Sequence, residues 1–172
     1  VNLISMLTWA FEFEDKDYFE GFRSLSTNGI DKPVLNVFRM AGMMSGERVG
    51  TTSTGQVPLD DILKSGVRQA PDIDAFATKD AREAAVMLWN YHDDDLPADG
   101  AEVQVTVAGI PAGVHRVLLQ HYRIDQDHSN AYTVWKAMGS PQKPTPEQYA
   151  QLQSAGQLQL LTSPRWLVVD NG

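Results

Sequence analysis

The sequence predicts a mixed fold: one strand–helix unit of the parallel α/β kind, followed by an all-β sandwich with a short helical insertion. Three observations predict it. Residues 1–13 form a near-continuous run of apolar, β-branched and aromatic residues, the pattern of a parallel strand covered on both faces. Val34, Leu35, Val37, Phe38, Met40 and Ala41 then recur at helical spacing. From Glu47 onward, short β-type segments alternate with turn residues at intervals typical of a sandwich.

In chain order, the first strand gives way to a charged loop, Glu14, Asp15, Lys16 and Asp17, and then to Tyr18, Phe19, Glu20, Gly21 and Phe22. Asp31 is placed to cap the next helix, Pro33 to sit in its first turn and Gly42 to end it. One strand and one helix cannot fold alone, because the strand lacks a sheet. The chain also opens on Val1, inside a buried-type strand, without an initiator Met. The expectation is a chain that begins part-way through a larger protein, so the lack of a leader pattern leaves the compartment open. A domain boundary is predicted between residues 43 and 44. Beyond it, Thr, Ser and Gly cluster at 50–55, Pro58 and Pro71 punctuate the chain, and strands are predicted at 73–78, 84–91, 103–108 and 114–124. The insertion comprises a helix within Ser129–Gly139, capped by Ser129 or Asn130, and a second at Pro146–Ser154. Thr145 and Gln148 have the spacing of a capping box for the second helix. A closing strand is predicted at Trp166–Val169.

Composition narrows the function classes. Fourteen basic against twenty-two acidic residues give a net charge of −8, without the basic face that nucleic acid or an anionic membrane requires. Neutral partners such as sugars remain. No apolar run approaches the ~18 residues of a membrane span, and the absence of cysteine excludes disulfides and thiolate metal sites. His92, His115, His121 and His128 lack zinc spacing; His115 and His121 on one strand would stand about 20 Å apart. His92 with Asp93, Asp94 and Asp95 lacks the order of a calcium loop and reads as a solvated acidic turn. Asp125, His128 and Ser129 bring triad residue types together, but no Gly-x-Ser-x-Gly elbow is present. A helix cap is the better reading of Ser129 or Asn130. No metal is expected.

Two segments carry a family resemblance. The first is Leu7, Thr8, Trp9, Ala10, Phe11, Glu12, Phe13 and Glu14, with Gly29, Ile30, Asp31, Lys32, Pro33 and Phe38. It resembles the eighth strand and following helix of the (β/α)8 TIM barrel in family 39 glycoside hydrolases, the family of bacterial β-xylosidases. The second is Tyr122, Arg123, Ile124, Asp125, His128, Ser129, Asn130, Ala131, Tyr132, Trp135, Met138, Gly139, Ser140 and Pro141, which is similar to their accessory β-sandwich. With Leu88, Trp89, Asn90, Tyr91 and His92, the similarity extends over most of the chain.

The resemblance implies residues 1–43 as the end of a catalytic barrel and 44–172 as the accessory sandwich. It implies retaining hydrolysis of terminal β-1,4-xylosyl residues, from xylooligosaccharides or aryl xylosides, without a cofactor. The acid/base and nucleophile glutamates belong to the fourth and seventh barrel strands, upstream of residue 1. The partner of this chain is therefore the missing barrel portion, and the 172 residues alone are expected to be inactive.

Trp9 is implied as a sugar platform, since a pyranose packs its C–H face on an indole. Glu12 and Glu14 are implied as binders of sugar hydroxyls. The family has adjacent acids after this Trp, whereas here they flank Phe13, which leaves open which of them contacts sugar. Two apart on one strand, they do not read as a catalytic pair, whose members approach a sugar from opposite sides. Phe11 and Phe13 read as packing. The helical insertion is implied to lean toward the active-site side, with Trp135 shaping its entrance. Two rivals stay open: an α-L-iduronidase-like glycosidase on the same scaffold, and a non-catalytic carbohydrate-binding or interaction sandwich. Near Trp9 only Lys16 and Arg23 would meet a uronate, which favours a neutral sugar.

Overall fold

A computed structural model describes residues 10–13, 15–21, 24–94 and 100–169 of the chain. β1 (Ala10–Phe13) runs parallel to β2 (Ser24–Thr27), with Ala10 opposite Ser24 and Phe13 opposite Thr27. β2 folds back into β3 (Ile30–Asp31) through Asn28 and Gly29, at φ 49° and 75°. Both residues are left-handed, the requirement of a mirror-image two-residue hairpin, which Asn-Gly meets at little steric cost. A Cβ on Gly29 would also lie 2.6 Å from the Tyr149 hydroxyl. α1 (Pro33–Gly42) follows, begun by Pro33 and ended at Gly42. Asp31 is not its cap. It belongs to β3, where its Oδ2 accepts from Arg39 Nη2 at 2.7 Å. The strand pairing turns the Asp31 carboxylate toward the middle of the helix and away from the first N–H groups.

The chain divides into two compact units, one joining the segment up to Met40 with that from Pro111 onward, the other Ala41–Ile110. In the second unit, β4 (Glu47–Val49) precedes α2 (Leu59–Ser65), β5 (Asp72–Lys79) and β6 (Ala84–Tyr91). The three strands pair antiparallel in the order β4-β5-β6, with Asp72 opposite Tyr91 and Glu47 opposite Lys79. Asp72 is buried and satisfied: it accepts from Val57 N–H at 2.8 Å and from Trp89 Nε1–H at 2.7 Å. The acidic turn is more than solvated. Asp93 accepts from Val67 N–H at 2.9 Å, and Asp94 pairs with Arg68 at 2.9 Å.

The strand expected at 103–108 is absent; these residues are exposed and lie outside any helix or strand. Val103, Val105 and Val107 alternate as a strand should, but alternation alone does not supply a ladder, and no described residue pairs with them. α2 is an element not expected from the sequence, although Pro58, the acidic first turn of Asp60 and Asp61, Lys64 in the last turn and Gly66 together mark a short helix.

The remaining elements belong to the first unit. The stretch 114–124, expected as one strand, is two: β7 (Arg116–Leu119) and β8 (Tyr122–Arg123). α3 (Ala131–Ala137) and α4 (Pro146–Gly156) follow, then β9 (Gln159–Leu160), antiparallel to β8, and β10 (Arg165–Val168), antiparallel to β7. Asn130 caps α3 by accepting from Thr133 N–H at 3.2 Å. α4 opens on the complete Thr145–Gln148 capping box.

The core of this unit is Ile30, Ala131, Trp135 and Leu152, with Tyr18, Phe19, Val134, Met138, Tyr149 and Ala155 packed against it. It is pinned by a buried amide. Asn36 Nδ2 donates to Ser129 O at 3.0 Å and Gly156 O at 2.8 Å, while its Oδ1 accepts from Arg39 Nη1 at 2.8 Å. Gly156 lies at the end of α4, where carbonyls lack helical partners, so Asn36 caps that helix from another element. Asn36→Ala strands two carbonyls and empties a fully buried site. We expect it to lower unfolding stability by ~2–4 kcal/mol, read from the urea midpoint. An unshifted midpoint would show that the amide does not hold the unit together.

Candidate functional site

Residues 15–21 lie outside any helix or strand, and side chains from elsewhere in the unit fix them. Asn28 Nδ2 donates to Lys16 O at 2.8 Å, Tyr18 N–H to Gln142 Oε1 at 2.7 Å, and Phe19 N–H to Thr27 Oγ1 at 2.9 Å. Lys32 spends its ammonium on Glu20 O at 2.7 Å, Gly21 O at 2.8 Å and Ser24 Oγ at 2.6 Å. Burial pulls the Lys32 pKa below its ordinary value. Phe19 is held at φ 63°, a left-handed conformation strained for a bulky residue. That strain persists only because the surrounding hydrogen bonds over-determine the loop.

α3 packs on this loop. Phe19 meets Tyr132 edge-on, with ring centroids 5.4 Å apart and planes at 70°, and lies 5.0 Å from Trp135. Trp135 is 8% exposed and donates its Nε1–H to Pro141 O at 3.0 Å, whereas Tyr132 is 45% exposed. Lys136 Nζ lies 5.9 Å from both ring centroids. Between loop and helix lies a cleft of ≈ 330 Å³ walled by Asp17, Tyr18, Phe19, Glu20, Tyr132, Trp135, Lys136 and Gln142. Apolar ring faces alternate there with carboxylate, amide and ammonium groups, the combination that suits a ligand with C–H faces rimmed by hydroxyls. A larger hollow of ≈ 410 Å³ beside β7 and β10, lined by Leu119, His121, Leu161, Thr162, Ser163 and Arg165, brings together no Phe, Tyr or Trp ring and no carboxylate.

Of the residues singled out in the sequence, Trp9 and Glu14 lie outside the described residues. Glu12 is on β1 and exposed, and its Oε1 accepts from Gly29 N–H at 2.5 Å. This bond ties it to the Asn28–Gly29 turn. Phe11 is 58% exposed in this chain. Asp17, Tyr18, Phe19, Glu20, Lys136 and Gln142 were not foreseen as a group. Their sequence signal lies in the Asn-Gly hairpin, which returns the chain beneath the loop.

The Asp125, His128 and Ser129 group is structural. Ser129 is fully buried; its Oγ donates to Arg123 O at 2.7 Å and accepts from Gln159 N–H at 2.8 Å. Asp125 Oδ1 lies 2.9 Å from His128 Nδ1 and accepts from Asp127 and His128 N–H, while Oδ2 accepts from Arg123 Nε at 2.6 Å. Burial works to raise this carboxyl's pKa. The hydrogen bonds from His128, Asp127 N–H and Arg123 outweigh it and hold the value at about 2. Among the described residues no group of three or more His, Asp or Glu side chains could hold a metal ion.

Comparison with known proteins places the chain in a family. The family model for glycosyl hydrolases family 39 matches residues 4–165. The chain is 28% identical over 151 residues to a beta-xylosidase of Caldicellulosiruptor saccharolyticus, covering 88% of this chain and 28% of that protein. It is 27% identical over 130 residues to the alpha-L-iduronidase of Mus musculus, covering 70% of this chain and 19% of that protein. The chain thus spans under a third of either relative.

The Asp125 group makes a pH-dependent contribution to stability. Its folded pKa of about 2 lies below the ordinary 3.8, so its contribution is complete above about pH 4 and is lost as pH falls toward 2. The stability difference between wild type and Asp125→Asn is expected to be on the order of 1–2 kcal/mol at pH 6 and to shrink across that window. A difference that stays constant from pH 6 to 2 would refute the assignment.

Proposed function

The chain belongs to the glycosyl hydrolases of family 39, and on that premise we propose that it is the C-terminal part of a retaining, exo-acting β-xylosidase. The reaction is removal of terminal β-1,4-xylosyl units from xylooligosaccharides. Residues 1–43 are the last strand and helix of a (β/α)8 barrel, and 44–172 are the accessory sandwich with its helical insertion. The observation that carries the reading is the cleft beyond the C-terminal end of β1. In a parallel barrel, substrates bind at that end of the strands, and here α3 reaches the same place from the far end of the sequence.

Trp9 provides the stacking floor for the terminal xylose, and Glu12 or Glu14 accepts from its hydroxyls. Glu12, anchored through Gly29 N–H, presents a carboxylate of fixed orientation. The two reacting glutamates come from the rest of the protein. They stand ~5 Å apart, one protonating the leaving oxygen while the other attacks the anomeric carbon. The sugar chemistry needs no cofactor.

The similarity to an alpha-L-iduronidase supports a second reading, in which the terminal sugar carries a carboxylate. Lys136 is the basic group in the cleft, but Asp17 and Glu20 stand beside it, which favours a neutral sugar.

The complete protein should hydrolyse an aryl β-xyloside with retention of configuration, and the 172-residue chain alone should give no turnover. Trp9→Ala in the complete protein should lower kcat/KM by ~10–100-fold. Turnover of an aryl α-L-iduronide with none of the xyloside would select the second reading. Hydrolysis by the 172-residue chain would make Glu12 or Glu14 catalytic.

A further inference from the structure

We propose that the cleft between loop 15–21 and α3 is the subsite for the sugar on the leaving-group side of the scissile bond, with Tyr132 as its platform and Lys136 as its hydroxyl donor. The inference rests on the β-xylosidase reading and adds to it a residue-level determinant of substrate length.

Tyr132 and Trp135 are neighbours on one helix face, three residues apart, yet their environments differ. Trp135 is buried, with its indole N–H satisfied inside the protein, and it positions the helix. Tyr132 contributes no comparable burial: it stays 45% exposed on the wall of a ≈ 330 Å³ cleft. Its ring is nevertheless immobilised, edge-on to Phe19 and 5.8 Å from Trp135. An exposed aromatic packed between the buried Trp135 and the half-buried Phe19 is organised for stacking before any ligand arrives, so little entropy is lost on binding.

The opposite wall is equally fixed. Lys32, Thr27, Asn28 and Gln142 bind the backbone of loop 15–21 and hold Phe19 in its left-handed conformation. Strain retained in a surface loop of this kind is characteristic of ligand clamps. Two acidic residues, Asp17 and Glu20, and one basic residue, Lys136, line the cleft. These groups match the donors and acceptors of a neutral pyranose and oppose an anionic one. The loop also starts just past the C-terminal end of β1, so a ligand here lies outward of a terminal sugar seated on the strand end. That is where the remainder of an oligosaccharide must leave an exo-acting enzyme.

The test compares two substrates in the complete enzyme. Xylobiose places a sugar in the cleft; β-xylosyl fluoride, whose leaving group is a single atom, does not. Tyr132→Ala is expected to lower kcat/KM for xylobiose by about tenfold or more while leaving the fluoride within about twofold. Tyr132→Phe, which keeps the stacking face, should restore xylobiose to near wild type, and Lys136→Met should repeat the selective loss more weakly. Equal losses on both substrates would make Tyr132 merely structural and overturn the proposal, as would no loss on xylobiose. A wild-type enzyme inactive on both substrates would instead overturn the β-xylosidase reading, and the subsite with it.

Discussion

The first unit depends on one buried amide. Asn36 is fully inaccessible to solvent and has three hydrogen-bond partners, from residues 39, 129 and 156. Its position answers two local problems. α4 leaves its last carbonyls without helical partners, and the left-handed Ser129 turns its own carbonyl out of regular structure. A side-chain amide has two donor hydrogens on one nitrogen and can satisfy both carbonyls, which an apolar residue of that size cannot. The close packing follows. A Cβ on Gly156 would lie 3.1 Å from Asp31 O, and the Asp31 carboxylate is itself held by Arg39 and by Gln157 Nε2. Three distant stretches of chain converge on this point.

Because α1 is fixed to the start of α3 and the end of α4, α3 is brought against the loop that follows β1. The aromatic contacts at Phe19 are a consequence of that placement, and so is the tolerance of strain. A bulky residue at positive φ costs on the order of 1–3 kcal/mol. Several hydrogen bonds converging on one loop can offset a penalty of that size. Lys32 is chosen for geometry: its three N–H groups diverge tetrahedrally toward two carbonyls and a hydroxyl, an arrangement that a planar guanidinium would not reproduce. The cleft wall therefore owes its shape to polar groups beneath it as much as to the rings that line it.

What could be read from the sequence was mostly local. The Thr145–Gln148 box, the Asn130 cap, β5, β6 and β10 follow from propensity, capping and turn chemistry within a few residues. Errors arose where a partner far along the chain decides the outcome. Asp31 has the composition and position of a helix cap, but pairing with β2 claims its backbone and Arg39 claims its side chain. The Val103, Val105 and Val107 alternation is a strand pattern without a ladder among the described residues. The Asn28–Gly29 hairpin has a local signal in the Asn-Gly pair, but the strands it joins are only four and two residues long and carry little alternation of their own. Of the cleft, only Trp135 was singled out beforehand, as a residue the family resemblance implies at the entrance; the structure shows it buried, with its indole N–H bonded to Pro141 O. Its division of labour with Tyr132 was not legible, because relative burial is a property of the packed unit and not of residue type.

This division separates what packs the helix from what it exposes. By chain order, α3 and α4 follow the β-rich stretch; by contact, they belong with β1, β2, β3 and α1. A helix attached in this way has a buried side that must be kept, fixed by Trp135, Leu152 and the carbonyls bound to Asn36. Its outer side faces the cleft, and Tyr132 and Lys136 stand there under no packing demand of that kind. Substitutions on the outer side alter the cleft wall while the inner side keeps the helix in place.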